Sequence, residues 1–225
     1  MATGETNNSK SGAIEGGGRS FLREVFSFFK TLLLFLIIAF ILRASFVEAY
    51  KIPSGSMIPT LRIGDHILVS KLSYGLRVPY GIGLPFRIKD TMLFQYDTPK
   101  RGDVVVFTRP DDPNTEEDES AINIIKRVIG LPGDVVEVRG TQVFINGQPL
   151  DEPYARWVEN GIPEGNFGPE KVPEGKVLLL GDNRDRSKDS RFWSYPFLDI
   201  SRIKGRALIV YWSWDSLKRI GTIIR

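Results

Sequence analysis

The sequence predicts a mainly β, antiparallel protein carried behind one N-terminal apolar helix. Three observations lead there. The stretches "GDHILVSK" (64–71), "GDVVVFTR" (102–109) and "GDVVEVRG" (133–140) each set Gly-Asp before a short β-rich run, a turn and then a strand. Little after residue 50 sustains helical periodicity. The long apolar run is confined to "FLREVFSFFKTLLLFLIIAFILRASFVEAY", residues 21–50.

Composition removes several functions. With 225 residues, 42% hydrophobic and 25% charged, the chain suits one sizeable domain, with room for a small lobe. A formal charge of +3 is too small and too scattered to argue for nucleic acid. Cysteine is absent and His66 is the lone histidine, so no thiolate or imidazole metal site can be assembled and no cofactor is expected. A histidine-assisted serine protease would have to use His66, which lies in a turn entering a strand and reads as a surface imidazole.

Taken in order, residues 1–24 are expected as a disordered tail, the first 20 being rich in Gly, Ser, Asn and charge. Residues 25–47 read as a transmembrane helix. The uncharged core, Thr31 to Leu42, spans only about 18 Å at 1.5 Å per residue. Extended from Val25 to Val47 it reaches about 34 Å, enough for the hydrocarbon layer, with Lys30 and Arg43 near the interfaces. A cleavable signal peptide is the competing reading; Glu48 inside the "VEA" exit and Arg43 directly after the core weaken it.

Residues 48–225 form the large domain. "VVEVRGTQVFINGQPL" (135–150) folds back through hairpin turns, one at Asn146-Gly147. "GKVLLLGDN" and "GRALIVYW" are further strands, while 109–120 and 159–176 read as loops, the second bordering a small inserted lobe over roughly 137–176. Tyr211, Trp212 and Trp214 in "IVYWSW" either fill the β-core or meet a bilayer interface. Arg101-Gly102-Asp103 raises an adhesive reading, although it opens a strand within a larger motif.

Chemistry concentrates in three stretches. In "IPSGSMIPTL" (52–61) the prolines forbid regular structure, which puts Ser54 and Ser56 on a stiff turn, and Gly55 permits close backbone approach or positive φ. A serine hydroxyl needs a base. Lys126 in "INIIKRVIGLPGD" lies on a strand apolar on both faces, where a lysine must ion-pair, snorkel out or lose its proton. Beside isoleucines the snorkelling or edge-strand lysine is the commoner case, and spacing does not bring residues 56 and 126 together. "LGDNRDRSKDSRFW" (180–193) leaves a buried strand as a charge-rich loop suited to internal ion pairs.

Together "PSGSMIPTL", "RGDVVVF", "KRVIGLPGDVV" and "GDNRDRSKDSRFW", in this order behind an apolar segment, resemble bacterial type I signal (leader) peptidase over residues 52–193. The resemblance implies an antiparallel β catalytic core with a small inserted β-lobe, and a Ser-Lys dyad with Ser56 as nucleophile and Lys126 as general base. It implies an oxyanion hole of the Ser54 hydroxyl and the Ser56 N–H, and a lysine-orienting role for Ser187. Arg127, Asp182, Asp189 and Arg191 fall on the charged scaffold around the site. The implied partners are membrane lipid and signal-peptide-bearing preproteins cut after a small-X-small motif. The implied location is the cytoplasmic membrane, N-terminus inside, with the catalytic domain on the outer face. For Lys126 to serve as a base, burial among Ile122, Ile124 and Val128 has to lower its pKa, and Asp182 and Asp189 have to pair with arginines instead.

Overall fold

The computed structural model describes residues 15–77, 92–108, 123–157 and 165–225. Two units are distinguished, residues 1–43 and 44–225. In the first lies most of α1, Glu15–Phe46, a 32-residue helix. It begins inside the expected tail, because nothing from Glu15 onward interrupts the helix except three glycines, each costing about 1 kcal/mol. Residues 1–14 lie outside the described residues. Residues 32–38 are exposed at every position, so Leu, Ile and Phe side chains occupy the whole circumference of the helix there. The side chains of 39–45 fall outside the description. Among the described residues no helix is long and apolar enough to cross a membrane. Val47, expected as the last helical residue, instead opens a strand.

The second unit is built on antiparallel sheets. Its strands are β1 (Val47–Lys51), β2 (Asp65–Ser70), β3 (Gly75–Arg77), β4 (Met92–Gln95), β5 (Val104–Thr108), β6 (Asn123–Gly130) and β7 (Val135–Arg139). There follow β8 (Gln142–Ile145), β9 (Gln148–Pro149), β10 (Phe167–Lys171), β11 (Lys176–Leu180), β12 (Phe197–Asp199) and β13 (Ile203–Ser213). Seven of them form one sheet in the order β1-β2-β13-β5-β6-β11-β12. The four-stranded sheet β10-β7-β8-β9 lies entirely within residues 135–171. Strand β10 replaces part of the loop expected over 159–176; its Glu170 and Lys171 pair with Val136 and Val135 despite the surrounding glycines and prolines. The acidic stretch 109–120 lies outside the described residues.

Alternation along β6 positions the chemistry. Ile125 enters a core with Ile52, Met57 and Leu61 from the serine turn. Val128, with Ile124 at its edge, enters a second core with Val105, Phe107 and Leu179. Ile129 joins Leu178 and Leu180 against Val136, Val138, Val143 and Ile145 of the smaller sheet, so a shared core fastens that sheet to the larger one. Strand β6 is therefore covered on both faces, and Lys126 and Arg127 are carried inside with it, at 4% and 1% exposure. Each buried aliphatic side chain contributes roughly 1.5–3 kcal/mol, which sustains two charged neighbours in the same strand.

Candidate active site

The turn after β1 is closed at its base, where Ile52 N–H donates to Asp65 C=O (2.8 Å) and Gly64 N–H to Ile52 C=O (3.0 Å). Met57 and Leu61 are fully buried and anchor its tip; Leu61 N–H donates to Met57 C=O at 2.8 Å. Packing of these two side chains adds to the restraint that the prolines place on the loop. Gly55 has no positive φ, and a Cβ there would meet only the flexible end of Ile58 at 3.0 Å. The conformational freedom expected of Gly55 is not what the turn uses.

The loop after β11 holds the turn from the other side. Asn183 N–H donates to Ser56 C=O (3.0 Å), and its side-chain amide donates to Gly55 C=O (3.0 Å). Thr60 Oγ1 donates to Asp182 Oδ2 at 2.5 Å. Gly181 sits at the closest approach: a Cβ on it would overlap Ser187 Oγ and come within 2.6 Å of Ser56 O. Asn183 fits the hydrogen-bonded loop expected after β11, whereas Gly181 and Thr60 do not stand out in the sequence as site residues. The signal for Gly181 and Asn183 was their place in a loop leaving a buried strand; for Thr60 it was a hydroxyl at the end of a proline-bounded turn.

These contacts put Ser56 Oγ 2.7 Å from Lys126 Nζ. Ser56 is 8% exposed, whereas Ser54 is exposed, its Oγ 3.5 Å from Ser56 Oγ, so the pair opens to solvent on the Ser54 side. Burial pushes the Lys126 ammonium down to about 8, against the opposing pull of Asp189 and Asp182, with the Arg191 charge adding to the depression.

The carboxylates are held by arginines. Asp182 receives Arg127 Nε (2.8 Å) and Nη2 (2.7 Å), both side chains being at most 1% exposed. Arg127 also donates to the Gly102 and Arg225 carbonyls and lies over the Tyr154 ring at 3.9 Å. Asp189 accepts from Arg191 Nε (2.8 Å) and Nη2 (2.9 Å) and from Gly181 N–H (3.0 Å). Arg184 is buried and bonded to Glu152 at 2.9 and 2.5 Å. Ser187 Oγ is buried and makes no hydrogen bond to any described residue, Lys126 included.

Three other expectations find their places. His66 sits in β2, its Nδ1 3.1 Å from Gly64 O and its ring edge-on to Tyr211; it is half-buried rather than a surface imidazole. Ile122 lies outside the described residues. In the Arg-Gly-Asp tripeptide Arg101 donates to Ile129 C=O and Asp134, and Asp103 accepts from Tyr74, Lys100 and Arg206, so the motif is consumed internally. No group of His, Cys, Asp and Glu among the described residues is arranged to hold a metal ion.

A serine set on a docked turn against a buried lysine, within an antiparallel β framework, belongs with the serine peptidases, and comparison with known proteins agrees. The family model for signal peptidase, peptidase S26, matches residues 25–212. A signal peptidase I of Leptolyngbya laminosa is 39% identical over 85% of this chain and 82% of its own. One from Pseudomonas fluorescens is 36% identical over 81% and 71%, and one from Bacillus licheniformis 32% over 87% and 92%. The chain is a serine peptidase and belongs to the signal peptidase family, peptidase S26.

Proposed function

We propose that this chain is a membrane-anchored endopeptidase that removes signal peptides from exported preproteins, cutting after a small-X-small motif. Ser56 is the nucleophile and Lys126 the general base. The neutral Lys126 amine takes the hydroxyl proton of Ser56 as Oγ bonds to the scissile carbonyl carbon. The resulting oxyanion is met by the Ser56 N–H and the Ser54 hydroxyl. The Lys126 ammonium then gives its proton to the departing amine, leaving an acyl-enzyme on Ser56. Water, deprotonated by the regenerated Lys126, releases the acid.

The observation that carries this reading is the 2.7 Å approach of Lys126 Nζ to Ser56 Oγ inside a buried pocket. A lysine of pKa about 8 is neutral in a useful fraction near neutrality, which an exposed lysine of pKa near 10.4 is not. The arginine pairing of Asp182 and Asp189 supports the same role, because an unpaired carboxylate beside Lys126 would hold its proton on. Ser187, whose buried hydroxyl lacks a partner next to Gly181, serves as the lysine-orienting group in the reacting complex.

The anchor in this reading is the apolar part of α1, residues 25–46, where the exposed Leu, Ile and Phe side chains of residues 32–38 suit lipid. The N-terminus is then cytoplasmic, the domain lies on the outer face of the cytoplasmic membrane, and the substrate is itself threaded through the bilayer. The test is incubation of the detergent-solubilised chain with a preprotein bearing Ala-X-Ala, followed by N-terminal sequencing. A new N-terminus directly after that motif, absent with Ser56→Ala, is expected; an uncut preprotein would overturn the reading.

A further inference from the structure

Beside the nucleophile turn lies a cleft of about 390 Å³ that the proposed chemistry leaves unused. It begins two residues beyond Ser56. Ile58, Pro59 and Ile63 give it an apolar lining, and Arg62, Asp215 and Arg156 supply its charges. Arg62 is neutralised by Asp215 at 2.9 Å. The Arg156 side chain is exposed and has no hydrogen bond or ion pair to any described residue.

The backbone of Arg156 is nevertheless fixed to the active site. Its N–H donates to Asp182 C=O (2.7 Å), and its C=O accepts from Arg184 N–H (2.9 Å). Asn183, between those two residues, donates to Ser56 C=O (3.0 Å). Two short steps of backbone bonding therefore connect the nucleophile to the main chain of Arg156, whose guanidinium has no partner among the described residues. A cation lining an apolar cleft, with no partner among the described residues, is complementary to an extended peptide bearing a carboxylate, and guanidinium can grip that group with two parallel N–H donors.

We propose that this cleft receives the substrate chain next to the scissile bond and that Arg156 recognises an acidic residue there. The inference rests on the peptidase reading of Ser56 and adds a specificity determinant to it. An extended peptide advances about 3.3 Å per residue, so the acidic residue is sought at the positions flanking the cleaved bond.

The test is a panel of peptides sharing one Ala-X-Ala cleavage motif, with aspartate or alanine scanned through the four residues on each side of the bond where the motif allows. Cleavage is measured as kcat/KM with the full chain in detergent. One position is expected to favour aspartate by about two- to fivefold, the size of an exposed ion pair. Arg156→Lys should keep that preference, and Arg156→Glu should reverse it in favour of lysine at the same position. Cleavage with no position preferring aspartate, or a preference that survives Arg156→Glu, overturns this inference alone. Failure to cleave any peptide would remove the peptidase reading, and this inference with it.

Discussion

Lys126 carries two separable consequences of its burial. Its charged form is disfavoured in the folded state, so activity should rise with pH to a half-maximum near 8, the point at which the amine becomes neutral. A pH-rate profile of kcat/KM checks this; a flat profile between pH 6 and 9 would exclude Lys126 as the base. The same depression acts on stability. The unfolded chain binds the proton up to pH about 10.5 and the folded one only to about 8. Below pH 8 the fold therefore bears a penalty of roughly 3 kcal/mol, relieved as pH climbs from 8 toward 10.5. Lys126→Met should be inactive yet more stable than the parent at pH 7, with the gain shrinking by pH 10, as read by urea denaturation. Lys126→Arg should also be inactive, because a guanidinium keeps its proton. At the neighbouring hydroxyls, Ser56→Ala should abolish cleavage with an unchanged circular dichroism spectrum. Ser54→Ala should remove one oxyanion donor and slow turnover by roughly 2.7–4 kcal/mol.

The loop after β11 acts as the clamp that gives those side chains their geometry. Its Asp182 and Asp189 are fully buried and paired, and deleting one partner strands the other's charge. Arg127→Met should therefore destabilise the domain by roughly 3–5 kcal/mol, whereas Arg127→Met with Asp182→Leu should recover much of that loss. Denaturant midpoints of both single variants and of the double decide it; a double loss equal to the sum of the single losses would mean the pair is not coupled. Gly181→Ala tests close approach rather than charge. The new methyl would overlap Ser187 Oγ and press on Ser56 O, so activity should fall steeply and the melting temperature should fall with it. Activity retained in Gly181→Ala would show that the loop yields without disturbing Ser56.

Across the whole molecule, the exposed aromatics are the feature that packing does not explain. Tyr211, Trp212 and Trp214 are 40%, 38% and 73% exposed, so the core-filling alternative fails for them. Trp212 and Trp214 contact each other edge-on at 5.5 Å between ring centres. A bilayer-interface role predicts a blue-shifted tryptophan emission when the full chain moves from detergent into lipid vesicles, lost in part by Trp214→Ala; unchanged emission would count against it. Local pattern made the strands and the proline-bounded serine turn legible, because turn residues and apolar runs act over a few neighbours. Glycine- and proline-rich β10 was hidden for the same reason: its pairing partner, β7, supplies what its own residues lack. The nature of Lys126 was legible only as a set of alternatives, since a lysine beside isoleucines looks the same whether it snorkels or is buried. Motif order pointed to the family and to Ser56 and Lys126, but not to their separation. That distance depends on Asn183, Thr60 and Gly181 docking one loop on another across more than 120 residues of sequence. Sequence thus determined which groups are present and the strands that bear them. The apolar faces of β6 already pointed to burial on both sides; only the tertiary structure decided that Lys126 stays inside rather than snorkelling out, where loss of water lowers its pKa.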